Sequence, residues 1–168
     1  MDGCLVVQNG VDLGGVNLRG WCAAELHNCT IAANQCLSPG AGVRVSGTST
    51  AELAGCILRD NCAINAGAAD VHVEAGGAIG IYCCALDSAG LQLEGSTRFG
   101  PTQWYGDPKF CRPATCHDAF VGDFGLQPDS PCRYISACYF VIGANRDCGQ
   151  VWPPGLLRSD VEEGARPR

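Results

Sequence analysis

Gly42-Val43-Arg44-Val45-Ser46-Gly47, followed by Ala51-Glu52-Leu53, Cys56, Leu58 and Asn61, repeats an earlier stretch of the chain without a gap. The earlier copy is Gly15-Val16-Asn17-Leu18-Arg19-Gly20, followed by Ala24-Glu25-Leu26, Cys29, Ile31 and Asn34. The offset is 27 throughout, as from Cys29 to Cys56. A third copy follows at an offset of 28, with Val71-His72-Val73, Ile81, Cys84 and Leu86. Cys4, Val6 and Asn9 form a partial copy ahead of them, so the chain is expected to begin inside a coil, with upstream coils of the same protein as its neighbours.

A period in this range is the mark of a solenoid. Each unit holds short segments such as Val43-Arg44-Val45, apolar at alternate positions as a pleated strand requires. Gly, Ser and Asn stand between them, the residues that permit tight corners. The 3.6-residue period of helical repeats is missing, and so is the leucine pattern of leucine-rich repeats. The expected fold is therefore all-β, a right-handed parallel β-helix of about three to four coils with a cysteine-rich C-terminal cap. Its expected divisions are coils over 1–100, closing strands and cap over 101–148, and a flexible tail over 149–168.

Stacking at roughly 4.8 Å aligns equivalent positions of successive coils. Inward rows are then Val16/Val43/Val71, Leu18/Val45/Val73 and Leu26/Leu53/Ile81. Cys4, Cys29, Cys56 and Cys84 make a fourth row, read as packing because small apolar thiols suit a narrow dry interior. Asn9, Asn34 and Asn61 stack at a corner, where Asn tolerates left-handed backbone and its amide can bridge coils.

Thirteen cysteines in 168 residues point to disulfides and an oxidising compartment. The C-terminal set Cys111, Cys116, Cys132, Cys138 and Cys148 lacks the CxxC pairs of a zinc ribbon, and only His117 lies near it. These cysteines are expected to staple the cap locally, and no metal site is expected. Met1-Asp2-Gly3-Cys4-Leu5 has neither a basic nor an apolar leader segment, so an export signal is expected upstream, and an extracellular or cell-envelope location with it. No stretch has the roughly 20 apolar residues of a membrane span. With 11 Lys and Arg against 17 Asp and Glu, the net charge of −6 comes without a basic cluster and excludes a nucleic-acid partner. That acidity is compatible with binding cations, Ca²⁺ among them, and no resident cofactor is expected.

Asp107-Pro108-Lys109-Phe110-Cys111, Gly122-Asp123-Phe124-Gly125-Leu126 with Ser130-Pro131-Cys132, and Ile142-Gly143-Ala144 follow in that order. This series resembles the closing module of bacterial right-handed parallel β-helix repeat proteins of the pectate-lyase-like superfamily. The resemblance covers roughly residues 1–148 and is strongest after 100. It implies the fold; for activity it spans lyases, glycoside hydrolases, adhesins and proteins without chemistry. In the lyases an arginine base works beside calcium held by several carboxylates. Here Arg44 has only Asp70 and Glu74 nearby on the next coil.

The catalytic candidates are Glu25 and Glu52, stacked at about the spacing of a retaining glycosidase pair, and Arg44. The ligand-binding candidates are Asn17, Arg44 and His72, an outward polar row suited to acidic sugars. A Cys116–His117 thiol–imidazole pair is set aside because a disulfide would consume the thiol. The leading expectation is a non-catalytic secreted β-helix, a structural, display or glycan-binding surface for extracellular polysaccharide. The alternative is a polysaccharide lyase or glycoside hydrolase with its site partly in upstream coils.

Overall fold

The computed structural model describes residues 1–10, 13–65, 69–100, 103–133, 138, 141–144 and 146–149. Short strands dominate. β1 (Leu5–Val7) stands first. The first full repeat supplies β2 (Val16–Leu18), β3 (Ala23–His27), β4 (Thr30–Ala32) and β5 (Gln35–Cys36). The second supplies β6 (Val43–Val45), β7 (Thr50–Ala54), β8 (Ile57–Arg59) and β9 (Cys62–Ala63). The third gives β10 (Val71–Val73), β11 (Ala78–Tyr82) and β12 (Cys84–Ala85). A further set, β13 (Leu91–Leu93), β14 (Ser96–Phe99) and β15 (Gln103–Trp104), follows. Then come β16 (Phe110–Arg112) and β17 (Asp123–Leu126).

The architecture is all-β with several parallel sheets. One sheet runs β1-β4-β8-β12-β15, a second β13-β10-β6-β2 and a third β14-β11-β7-β3. Each repeat thus contributes one strand to each of the three. The register reproduces the sequence alignment: Val16, Val43, Val71 and Leu91 pair in series, as do Leu26, Leu53, Ile81 and Phe99. Among the described residues no sheet closes on itself, and no helix is long and apolar enough to cross a membrane.

Two apolar clusters form. The inner one gathers the valine and leucine rows with Cys29, Cys56 and Cys84, and Cys4 packs half-buried against it. Nearby runs the asparagine corner. Asn34 Oδ1 accepts from the backbone N–H and Nδ2 of Asn9 at 3.0 and 2.9 Å, and Asn61 Oδ1 accepts from the same two groups of Asn34 at 3.0 and 2.9 Å. Asn34 Nδ2 also reaches the Val6 carbonyl, and Asn61 Nδ2 the Ile31 carbonyl. The Asn34 side chain thereby fills both donor and both acceptor capacities, which is what its complete burial requires. Just before this corner, Gln8, Ala33 and Asp60 hold equivalent left-handed backbone at φ 53, 55 and 57°.

The second cluster lies on the opposite face of the β1-β4-β8-β12-β15 sheet. Phe110, Phe124, Leu126, Cys132, Cys138 and Ile142 cover Ala32, Ala33, Ile57 and Ala85 there. β16 and β17 form an antiparallel pair, and Phe110 meets Phe124 edge-on at 5.3 Å between centroids. Gly143 N donates to the Gly55 carbonyl at 2.7 Å, Ala144 N to Thr30 Oγ1 at 3.1 Å, and Gly122 N to Gln8 Oε1 at 3.0 Å. The cysteine-rich segment therefore lies along the flank of the repeats, touching them from Gln8 to Ala85, rather than sitting on the end of the stack where a closing cap was expected.

The disulfides follow this placement. Cys62–Cys116 and Cys83–Cys138 tie the repeats to the flank layer, and Cys111–Cys148 lies within it. Local stapling is thus corrected for two of the three, because a layer laid across a sheet brings its cysteines opposite those of the corners. Cys132 remains a buried free thiol. The parallel pairing continues to Trp104. Beyond Gly149 the expected tail lies outside the described residues.

Candidate functional site

Where the flank layer meets the edge of the repeats, an open cleft of about 400 Å³ forms. Asp60, Asp70 and Asp87 face it with Thr115 and His117. Each arrives by a different route. Asp60 occupies the left-handed corner after β8. Asp87 caps the short 3₁₀ turn Ser88–Gly90, its Oδ1 accepting from Ala89 N at 3.0 Å. His117 belongs to a turn held by Asp118, whose Oδ2 accepts from Thr115 N at 2.6 Å and Oγ1 at 2.9 Å.

Asp70 ends the asparagine corner. Its Oδ1 accepts from Asn61 Nδ2 at 2.6 Å and from Asn61 N at 3.4 Å, and only 2% of the residue is exposed. Burial pushes the Asp70 carboxyl up to about 6, against the two Asn61 hydrogen bonds that favour the ionised form; Asp87 and Asp60 add like charge. The Asp60 carboxyl is also raised, first by desolvation and then by Asp107 and Asp87, against the neighbouring Arg59. The cleft therefore presents two carboxyls of raised proton affinity, Asp60 and Asp70, beside Asp87.

The residues singled out from sequence fall elsewhere. Glu25 and Glu52 pair in register on β3 and β7, both exposed, in a shallow groove with Met1, Thr50 and their alanine neighbours. Their row continues through Gly80 to Arg98, so it ends in a cation. Among the described residues neither glutamate side chain makes a hydrogen bond or an ion pair.

Asn17, Arg44 and His72 do stand in one row, but the row is not an outward solvated stripe. His72 is only 6% exposed, because the turn at Gly40 closes over it; a Cβ on Gly40 would come within 2.8 Å of His72 Cβ and 3.0 Å of Arg44 Cβ. Among the described residues neither His72 ring nitrogen nor Asn17 Nδ2 has a hydrogen-bond partner, and Glu94 Oε1 stands 3.9 Å from His72 Nε2. Arg44 Nε and Nη2 both donate to Glu74 Oε1, the former at 2.8 Å, which neutralises the charge expected to meet an acidic sugar. Its role as a lyase base meets the same obstacle.

No family model matches the chain. Neither a curated protein nor a solved structure matches it.

Sequence reasoning missed Asp60, Asp87 and Cys62 as site residues and named Asp70 only as an acid near Arg44. The Cys62–Cys116 bond, between residues 54 apart, brings His117 to Asp60, and no local spacing carries that information. Asp70 did leave a trace: it is the acid directly before the third Val-x-Val strand, where Gly15 and Gly42 stand in the earlier copies. Cys29 is held protonated by its hydrogen bond with the Cys56 thiol and by burial, and in the flank layer burial pushes the Cys132 thiol up to about 12.

Proposed function

We propose that this chain is part of a secreted or cell-envelope right-handed parallel β-helix, a stiff non-catalytic scaffold whose acidic cleft binds a neutral glycan. The resemblance of its closing segment to bacterial β-helix repeat proteins supports the architecture, as do the in-register parallel sheets. The three disulfides are compatible with an oxidising compartment.

The observation that carries the binding reading is the cleft itself. Carboxylates accept hydrogen bonds from sugar hydroxyls, and such charge-assisted bonds are the stronger kind. Three acids and a net charge of −6 repel uronates, so the ligand chemistry is a neutral polyhydroxyl chain. Calorimetric titration with neutral and uronic oligosaccharides tests this. Neutral ligands are expected to bind and to weaken about tenfold, roughly one charge-assisted bond, in Asp60→Asn/Asp87→Asn. Equal affinity in that variant, or a preference for uronates, contradicts the reading.

One observation favours a second reading, a glycoside hydrolase. A carboxyl that keeps its proton to about pH 6 beside further carboxylates is the environment of a general acid. That reading requires release of reducing ends from a polysaccharide, lost in Asp70→Asn.

A further inference from the structure

We propose that Cys62, Cys116 and His117 form a redox-gated metal site, taking Zn²⁺ or a similar borderline-soft divalent ion when the Cys62–Cys116 disulfide is reduced. One ligand atom from each of the three residues lies within 4.8 Å of the other two, and among the described residues no other trio of His, Cys, Asp or Glu meets this way. Tetrahedral zinc with Zn–S near 2.3 Å and Zn–N near 2.0 Å needs donors about 3.3–3.8 Å apart, which that separation accommodates. The two Cα atoms are 6.0 Å apart, so side-chain rotation alone can part the sulfurs without moving the strands.

The surroundings suit a cation. Cys62 and Cys116 are half-buried while His117 is exposed, so the ion would be screened on the protein side and reachable from the other. Asp60 and Asp87 line the adjoining cleft, where a positive ion relieves their mutual repulsion and a carboxylate or water can complete the fourth position. The turn carrying Cys116 and His117 is already fixed by Asp118, and a pre-ordered ligand pair loses less entropy on binding. Two thiolates and an imidazole make a donor set that selects zinc over calcium or magnesium.

The chemistry balances. A dithiol reductant delivers two electrons and two protons to the disulfide; the S–S bond breaks and two thiols result. One divalent ion then displaces both thiol protons to water, forming two metal–sulfur bonds and one metal–nitrogen bond. Reoxidation withdraws two electrons into a disulfide-type oxidant, re-forms the S–S bond and expels the ion. In either state the same residues strap the flank layer to the second repeat. The proposal does not depend on the glycan reading.

The test compares oxidised and phosphine-reduced protein, both exchanged into metal-free buffer, titrated with Zn²⁺ against a chromophoric chelator and with Co²⁺ by absorption. The reduced chain is expected to bind one zinc at this site, with a thiolate-to-cobalt charge-transfer band, and the oxidised chain none. His117→Ala leaves the disulfide intact and is expected to weaken zinc at least about tenfold in the reduced state. Cys62→Ser/Cys116→Ser abolishes the site while the remaining cysteines stay in place. If reduction loosens the fold, zinc is expected to restore protease resistance in the parent chain and not in His117→Ala. Equal zinc affinity of the parent and His117→Ala, or equal binding before and after reduction, overturns the proposal.

Discussion

The stacked repeats and the layer on their flank are held together by different physics. In the repeats every strand finds its partner at the same depth of the next copy, and the inner rows interlock without a covalent link. In the flank layer two short antiparallel strands and a handful of apolar side chains form a core too small to stand alone, and disulfides pin it down. Two sheets of the repeats record the contrast. In one, β7 alternates between exposed and buried, with its outer face in water; in the other, β4 is buried at all three positions because the flank layer covers it. Periodicity stabilises the first region, and cross-links stabilise the second.

The largest expected effect separates the two. Cys83–Cys138 closes a loop of 55 residues, and cross-linking a loop of that size is worth about 4 kcal/mol in the chain-entropy account. Cys83→Ser/Cys138→Ser should lose that stability as an early, separate loosening of the flank, visible as protease cleavage near residues 112–121 while the repeats stay folded. One sharp transition for the whole chain would erase the distinction.

Asn34→Ala attacks the repeats instead. It strands the Asn9 N–H, takes the side-chain donor from the Val6 carbonyl and leaves Asn61 Oδ1 with the Asn34 backbone N–H alone, and should cost about 2 kcal/mol in urea denaturation. The loss should fall on the main transition, not on the flank.

Asp70→Asn probes the seam. A folded carboxyl raised from 3.8 to about 6 binds more protons than the unfolded one between those values, so its contribution to stability falls as pH rises through that window. Asn at 70 still accepts from Asn61 and carries no buried charge. The variant should exceed the parent by about 2–3 kcal/mol above pH 7 and match it near pH 4. A constant difference across that range would remove Asp70 from the account.

Glu25→Gln and Glu52→Gln are the smallest case. Both side chains are exposed and unheld, and each change should fall within about 0.5 kcal/mol with no loss of glycan binding.

The sequence was informative where it repeats and opaque where it does not. Val16, Val43 and Val71 announced their own pairing because the spacing between them is conserved within the chain. The fourth layer escaped notice because the connection shortened: Leu91 pairs with Val71 at an offset of 20, and Ser96 with Ala78 at 18. The flank layer left one readable sign, the unbroken buried runs Thr30-Ile31-Ala32 and Cys56-Ile57-Leu58 where β7 alternates. A strand with no polar face must be covered twice. The cleft was illegible for a stronger reason, since Asp60, Asp87 and His117 meet only through the register and the Cys62–Cys116 link.

Hydrogen exchange resolved to single amides, with and without reductant in the presence of a chelator, would separate the two regions. Reduction should expose the amides of Phe110–Arg112 and Asp123–Leu126 while those of Val43–Val45 and Val71–Val73 keep their protection. Loss of protection in both regions together would mean that repeats and flank form one cooperative unit, and the division drawn between them would fall.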